Sequence, residues 1–241
     1  MPYRRLPNTD SSRLRAMQKA LQMSEGVSPL ELTFSPSTYQ ELKFFYPEYN
    51  QAVLYQKETL ERQIKKSKNH QEKLKKVKLY VSHFIQVLNF AILRGELKPE
   101  IREYFDLQEY DKKLPLLNSE KDVIEWGKKL IEGEQQRLMN GGTPITNPTI
   151  ARVKVHYEDY LRTYKNQQYL QEAHNNAQQK MLDLRKKADA VILKLWNEIE
   201  DYFSDLSPDE KRANAEKYGI VYVYRKQEKL SFSNLKLDTV I

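Results

Sequence analysis

One helical plan is written twice along this chain, the second copy beginning about 110 residues after the first, and such repetition restricts the fold before any single residue does. Ser35 and Pro36 open one long segment, and Asn147 and Pro148 open another. A capping side chain before a proline suits a first helical turn, where the missing N–H and fixed φ cost nothing. Tyr46 and Tyr49 then align with Tyr157 and Tyr160, Lys75 and Lys76 with Lys186 and Lys187, and Val81, Phe84, Ile85, Leu88 and Ile92 with Ile192, Leu195, Trp196, Ile199 and Phe203. Upstream, Leu14, Met17 and Leu21 match Val123, Trp126 and Leu130, and both copies close on Leu-x-Pro-acid, at Leu97 to Glu100 and Leu206 to Asp209.

These signals predict an all-α protein, an elongated helical bundle of two tandem related units at about 10–110 and 118–224, within a single domain and followed by a tail at 225–241. Each unit is a short helix plus a long one. Thr9 or Asp10 caps the first short helix, and Asn118 or Ser119 the second, which stops at Gly141 and Gly142. From Glu48 to Arg94, and again from Thr149 to Ser207, there is neither glycine nor proline. Val53, Leu60, Leu74, Val81 and Leu88 fall at heptad spacing, the pattern of a coiled coil, with Ser67 in the gap. Pro47 predicts a kink, and the apolar gap from Lys65 to Lys73 leaves a hairpin at Ser67 to His70, with its counterpart at His174 to Asn176, as the alternative to one continuous helix. Ile220 to Tyr224, β-branched and aromatic, predicts a short strand pairing with the N-terminus or with Leu107 to Tyr110.

Hydrophobic residues are 39% of the chain and charged residues 30%, too apolar for general disorder and too charged for a membrane protein. Leu79 to Leu93, the most apolar stretch, is too short to span a bilayer, and 1–10 lacks an apolar secretory core; both features predict a cytoplasmic protein without membrane contact. The absence of cysteine excludes disulfides and thiolate chemistry.

No motif predicts a catalytic, cofactor or metal site. Positions three before His70, His83, His156 and His174 hold Ser67, Tyr80, Val153 and Gln171, so the Glu-x-x-His spacing of carboxylate-bridged metal bundles is missing. His83 sits beside the apolar stripe as a core-edge residue, and the other three histidines are expected to face solvent. Gly141–Gly142 follows a helix instead of leading into one, which rules out a phosphate-cradling loop.

Two groups stand as candidate sites. Lys65, Lys66, Lys68, Lys73, Lys75, Lys76 and Lys78, interrupted only by the acid Glu72, are a candidate anion-binding surface; solvated lysine stems shielding a helix are the simpler account. Tyr46, Tyr49, Tyr157 and Tyr160 are candidate interface aromatics, with core-edge packing as the simpler account. The reading is a non-enzymatic interaction or scaffold protein, with a protein partner or self-association. Nucleic-acid binding through the lysines is the alternative, and an enzyme with an unfamiliar site between the halves stands third.

MPYRRLP at Met1 to Pro7, YVSHFIQVL at Tyr80 to Leu88, EWG at Glu125 to Gly127 and NPTI at Asn147 to Ile150 resemble an uncharacterised family of helical proteins from Bacteroidota bacteria. The resemblance implies a helical fold over most of the chain and supplies no substrate, cofactor or catalytic residue.

Overall fold

A computed structural model describes residues 2–110 and 113–224; the tail expected at 225–241 lies outside them. The element order is β1 (Tyr3–Arg4), α1 (Asp10–Met23), α2 (Pro36–Leu93), two 3₁₀ helices (Pro99–Phe105 and Gln108–Tyr110), α3 (Glu120–Met139), α4 (Ile150–Tyr202), α5 (Pro208–Lys217) and β2 (Tyr222–Val223). The fold is all-α. The one small sheet among the described residues pairs β1 with β2 antiparallel, Tyr3 opposite Val223, so β2 takes the N-terminal strand as its partner, while Gln108–Tyr110 is helical.

Capping explains the short helices. The Thr9 hydroxyl accepts from the Ser12 backbone N–H while the Ser12 hydroxyl accepts from that of Thr9; Ser119 and Asp122 repeat the reciprocal pair in α3, and Ser207 and Glu210 in α5. The Ser35 hydroxyl accepts from the Thr38 N–H ahead of α2. At the other opening the expected match fails. Asn147 is in the left-handed conformation (φ 54°), which asparagine tolerates in turns, so α4 begins at Ile150 and not at Pro148.

Both long helices are continuous, which removes the hairpin alternative. Pro47 lies within α2 at an exposed position, where the carbonyl it leaves unpaired meets water. The apolar gap is bridged by buried polar side chains: Thr59 and His70 face inward, 6% and 3% exposed. Nor is the seam a heptad. Leu60 is exposed and Val53 and Leu74 are only partly buried, whereas Thr59, His70 and Val81, then Ala177, Ala188 and Ile199, recur as buried residues at three-turn steps of about 11 residues. A helix near 3.6 residues per turn drifts about 20° per heptad, so a seam this long cannot keep heptad spacing without supercoiling.

The described residues divide into two compact units, 2–58 with 175–224 and 59–110 with 113–174. This division crosses both sequence repeats. The first unit contains α1, the N-terminal part of α2, the C-terminal part of α4 and α5; the second contains α3, the N-terminal part of α4, the C-terminal part of α2 and the 3₁₀ helices. Each unit therefore draws a short helix and the start of a long helix from one repeat, and the end of a long helix from the other.

Within the first unit Met17, Leu42, Phe45 and Tyr49 pack with Met181, Ala188, Ile192, Leu195 and Trp196. Within the second, Val81, Phe84, Ile85 and Leu88 pack with Phe105, Val123, Leu130, Val153 and Tyr160. The short helices match one residue away from the register read from sequence. Arg13, Ala16, Met17 and Ala20 are buried in α1, and Val123, Trp126, Gly127 and Leu130 in α3, each set in step with its cap.

Two glycines let α3 approach its neighbours. A Cβ at Gly127 would enter the Tyr157 ring, and one at Gly133 would run into the Tyr104 carbonyl and the Phe105 ring. Gly133→Ala, a change that stabilises an open helix by roughly 0.5–1 kcal/mol, is expected here to destabilise by about 2 kcal/mol, because the obstacle is backbone. Urea unfolding followed by circular dichroism measures the sign.

Candidate functional site

The lysine cluster lies on the C-terminal part of α2, in the second unit. Lys73 turns aside to pair with Asp159 of α4 at 2.5 Å. Lys65, Lys66, Lys68, Lys75 and Lys76 are exposed and form no ion pair with a carboxylate among the described residues, while Lys78 is half-buried and its charge contributes to lowering the Asp122 carboxyl. At 3.6 residues per turn, Lys65, Lys68, Lys75 and Lys76 share an arc of about 100° with Leu79, Phe90 and Leu93, opposite the buried Val77, Val81 and Leu88. Leu79 is 63% exposed, Phe90 56% and Leu93 54%. The outward line of α2 is thus basic over its first part and apolar over its second.

The charge of this cluster reaches the adjoining helix. His156 of α4 packs against Tyr80, ring centroids 4.2 Å apart, and its pKa is lowered first by burial and next by the Lys76 charge. The hydrogen bond from Lys73 holds the Asp159 carboxyl below the usual carboxylate range. His156 is therefore expected to titrate below 6.5 in proton NMR, and Lys76→Glu to move it upward. Its folded value is the depressed one, so its contribution to stability is whole above the unfolded value and is lost as pH falls through the folded one.

The candidate aromatics lie in the cores. Tyr49 and Tyr160 are fully buried, Tyr157 is 8% exposed, and Tyr46 packs on the first core. Tyr46 and Tyr49 pack in the first unit's core and Tyr157 and Tyr160 in the second's. Tyr157 donates to the Ile124 carbonyl at 3.0 Å, which ties α4 to α3.

Tyr49 and Tyr160 each mark a polar centre that sequence reading missed. In the first unit the Tyr49 hydroxyl donates to Asp10 at 2.7 Å; Arg185 grips both Asp10 oxygens at 2.9 and 2.7 Å; Arg13 grips Asp189 at 2.7 and 3.0 Å. The Arg185 hydrogen bond pulls the Asp10 pKa down against the effect of burial, while burial and the Asp10 bond push Tyr49 well up. In the second unit Glu120 takes the place of Asp10 as the first residue of its short helix, Tyr160 corresponds to Tyr49, and the cationic partner is replaced by histidine. His70 Nε2 lies 2.9 Å from Glu120 Oε1 and its Nδ1 lies 3.4 Å from Thr163 Oγ1, with the ring stacked on Tyr160 at 5.5 Å. Burial and the Glu120 charge raise Tyr160.

The histidines thus invert the expectation. His70 and His174 are buried, 3% and 8% exposed, with His174 Nδ1 placed 3.3 Å from Thr59 Oγ1, and His83 is exposed. Acid, imidazole and hydroxyl stand in line at Glu120, His70 and Thr163, the order of a nucleophile triad. Yet Thr163 donates its proton to the Tyr160 carbonyl at 2.8 Å within α4. The hydroxyl is held by its own helix, both ring nitrogens face acceptors, and the arrangement braces α2, α3 and α4. The signal available in sequence was an acid directly after the cap of both short helices, set against a tyrosine in both long ones.

Among the described residues no group of three or more histidines and carboxylates is placed to hold a metal ion, and no helix is long and apolar enough to cross a membrane. Comparison with protein-family models, with curated proteins and with solved structures finds no match to this chain.

Proposed function

We propose that this is a non-enzymatic helical interaction protein working in the cytoplasm, its helices acting as a scaffold for a protein partner. One observation carries the reading: large apolar side chains of α2 stand in solvent, Phe44 at 74% exposure in the first unit and, together on the outward face in the second, Leu79, Phe90 and Leu93. Single exposed apolar residues are ordinary, but a series on one helix face marks a surface that gains from being covered. The buried polar centres support the same role, since their groups are spent on one another in bracing helices.

The test is affinity capture by the full-length chain from its own cell, eluted in salt steps, with protein and nucleic acid both measured. A defined protein recovered near the amount of bait is expected. Recovery of nucleic acid alone, or of nothing, would overturn the reading.

Nucleic-acid binding is the second reading, favoured by the five exposed lysines without carboxylate partners, Lys65, Lys66, Lys68, Lys75 and Lys76. It requires a salt-sensitive gel shift with mixed DNA and RNA fragments, weakened when Lys65, Lys66, Lys75 and Lys76 are reversed in charge. Kinship with the Bacteroidota family rests on the four sequence stretches alone and adds no activity to either reading.

A further inference from the structure

We infer that the outward face of α2 from Lys65 to Leu93 docks an amphipathic helix of a partner protein, acidic where it meets the lysines and apolar where it meets Leu79, Phe90 and Leu93. The inference rests on the interaction reading above and names its surface and the chemistry of its partner.

Three features of this face select the occupant. The first is composition along one line: Lys65, Lys68, Glu72, Lys75, Lys76, Leu79, His83, Gln86, Phe90 and Leu93 are all exposed and fall within an arc of about 100°, over a length of about 42 Å. A helix laid along another helix reads such a stripe at successive turns. The second is unspent charge. Lys65, Lys68, Lys75 and Lys76 have no carboxylate partner among the described residues, in contrast to Lys73, which lies outside the arc and pairs with Asp159. Four cations against the single acid Glu72 call for carboxylates from outside.

The third is segregation of the two chemistries along the axis. A nucleic acid would satisfy the lysines and gain nothing from Leu79, Phe90 and Leu93. A helix lying in a membrane surface carries apolar residues along its inserted face and cations on the opposite one. Here Lys68 and Lys75 lie at nearly the same angles as Gln86 and Leu93, so seating the apolar part in lipid would seat the lysines too. A protein helix with unlike ends meets both halves at once.

The test places a photoreactive benzoylphenylalanine at Lys68, at Gln86 or at Phe44 in the full-length chain, irradiates the cell of origin, and sequences the crosslinked peptides. Positions 68 and 86 are expected to capture one protein, through a segment rich in Asp and Glu at 68 and in Leu, Ile or Phe at 86. Lys75→Glu with Lys76→Glu, and separately Phe90→Glu, should each lower capture at least tenfold with unchanged helicity and melting, since all three side chains are exposed. Crosslinks at 68 and 86 to nucleic acid or lipid, to peptides without acids, or to nothing would overturn the inference. If position 44 captures a protein while 68 and 86 do not, the interaction reading stands and this surface assignment fails. If no position captures a protein, both fall.

Discussion

Replacing Arg137 with alanine is expected to destabilise the protein by about 4 kcal/mol, the cost of stripping one member from a buried ion pair. Glu134 and Arg137, one turn apart on α3, have side chains only 1% and 3% exposed and meet through two bonds, Nε to Oε2 at 2.7 Å and Nη2 to Oε1 at 2.8 Å. Each also holds the segment after α3: Arg137 donates to the Thr143 carbonyl at 2.5 Å, and Glu134 accepts from the Ile145 backbone N–H at 3.1 Å. Without the guanidinium a carboxylate remains in the core of the second unit, beyond the reach of water. Ile145, which lies in that core, then loses its anchor. The control is Glu134→Leu with Arg137→Leu, which removes both charges and fills their volume. It should cost less than Arg137→Ala, because no charge is left unpaired. Urea unfolding of the three proteins measures both values, and a loss below about 1 kcal/mol for Arg137→Ala would show that water reaches the carboxylate.

How much of this was legible in the sequence depended on which residues carried the information. Caps and apolar stripes are local, and they were readable: Thr9, Ser119, Val81, Phe84 and Leu88 stand where the pattern puts them. The continuity of α2 was not, because the reading counted only apolar residues. His70, buried against Glu120 and Thr163, does the work of a core residue in the apolar gap, and a polar residue looks buried only once its partners from α3 and α4 are known. The division into units was illegible for a related reason: it runs through the middle of α2 and α4, where no glycine or proline marks a boundary. Of the candidate surfaces, the lysines gave a true signal of exposure. The tyrosines gave a signal of correspondence between the halves, each pair packing in the core of its own unit, since identical spacing arises from two similar cores.

Asp10→Ala is expected to cost about 3 kcal/mol, less than the Arg137 change because the Asp10 side chain remains 22% exposed. Its loss leaves the Tyr49 hydroxyl without its acceptor in the first core and releases the Arg185 guanidinium bound to both carboxylate oxygens. Tyr49→Phe alone should cost about 1 kcal/mol, and adding it to Asp10→Ala should recover part of the loss, since an absent hydroxyl needs no partner. The pH dependence separates charge from packing. Arg185 holds the Asp10 pKa below its unfolded value, so the carboxylate's contribution is whole above about pH 4 and is lost as pH falls through the folded value. Wild-type and Asp10→Asn stabilities, measured from pH 7 to pH 2.5, should therefore converge at the acid end. A constant gap would mean that shape and hydrogen bonding, and not the carboxylate charge, hold this corner.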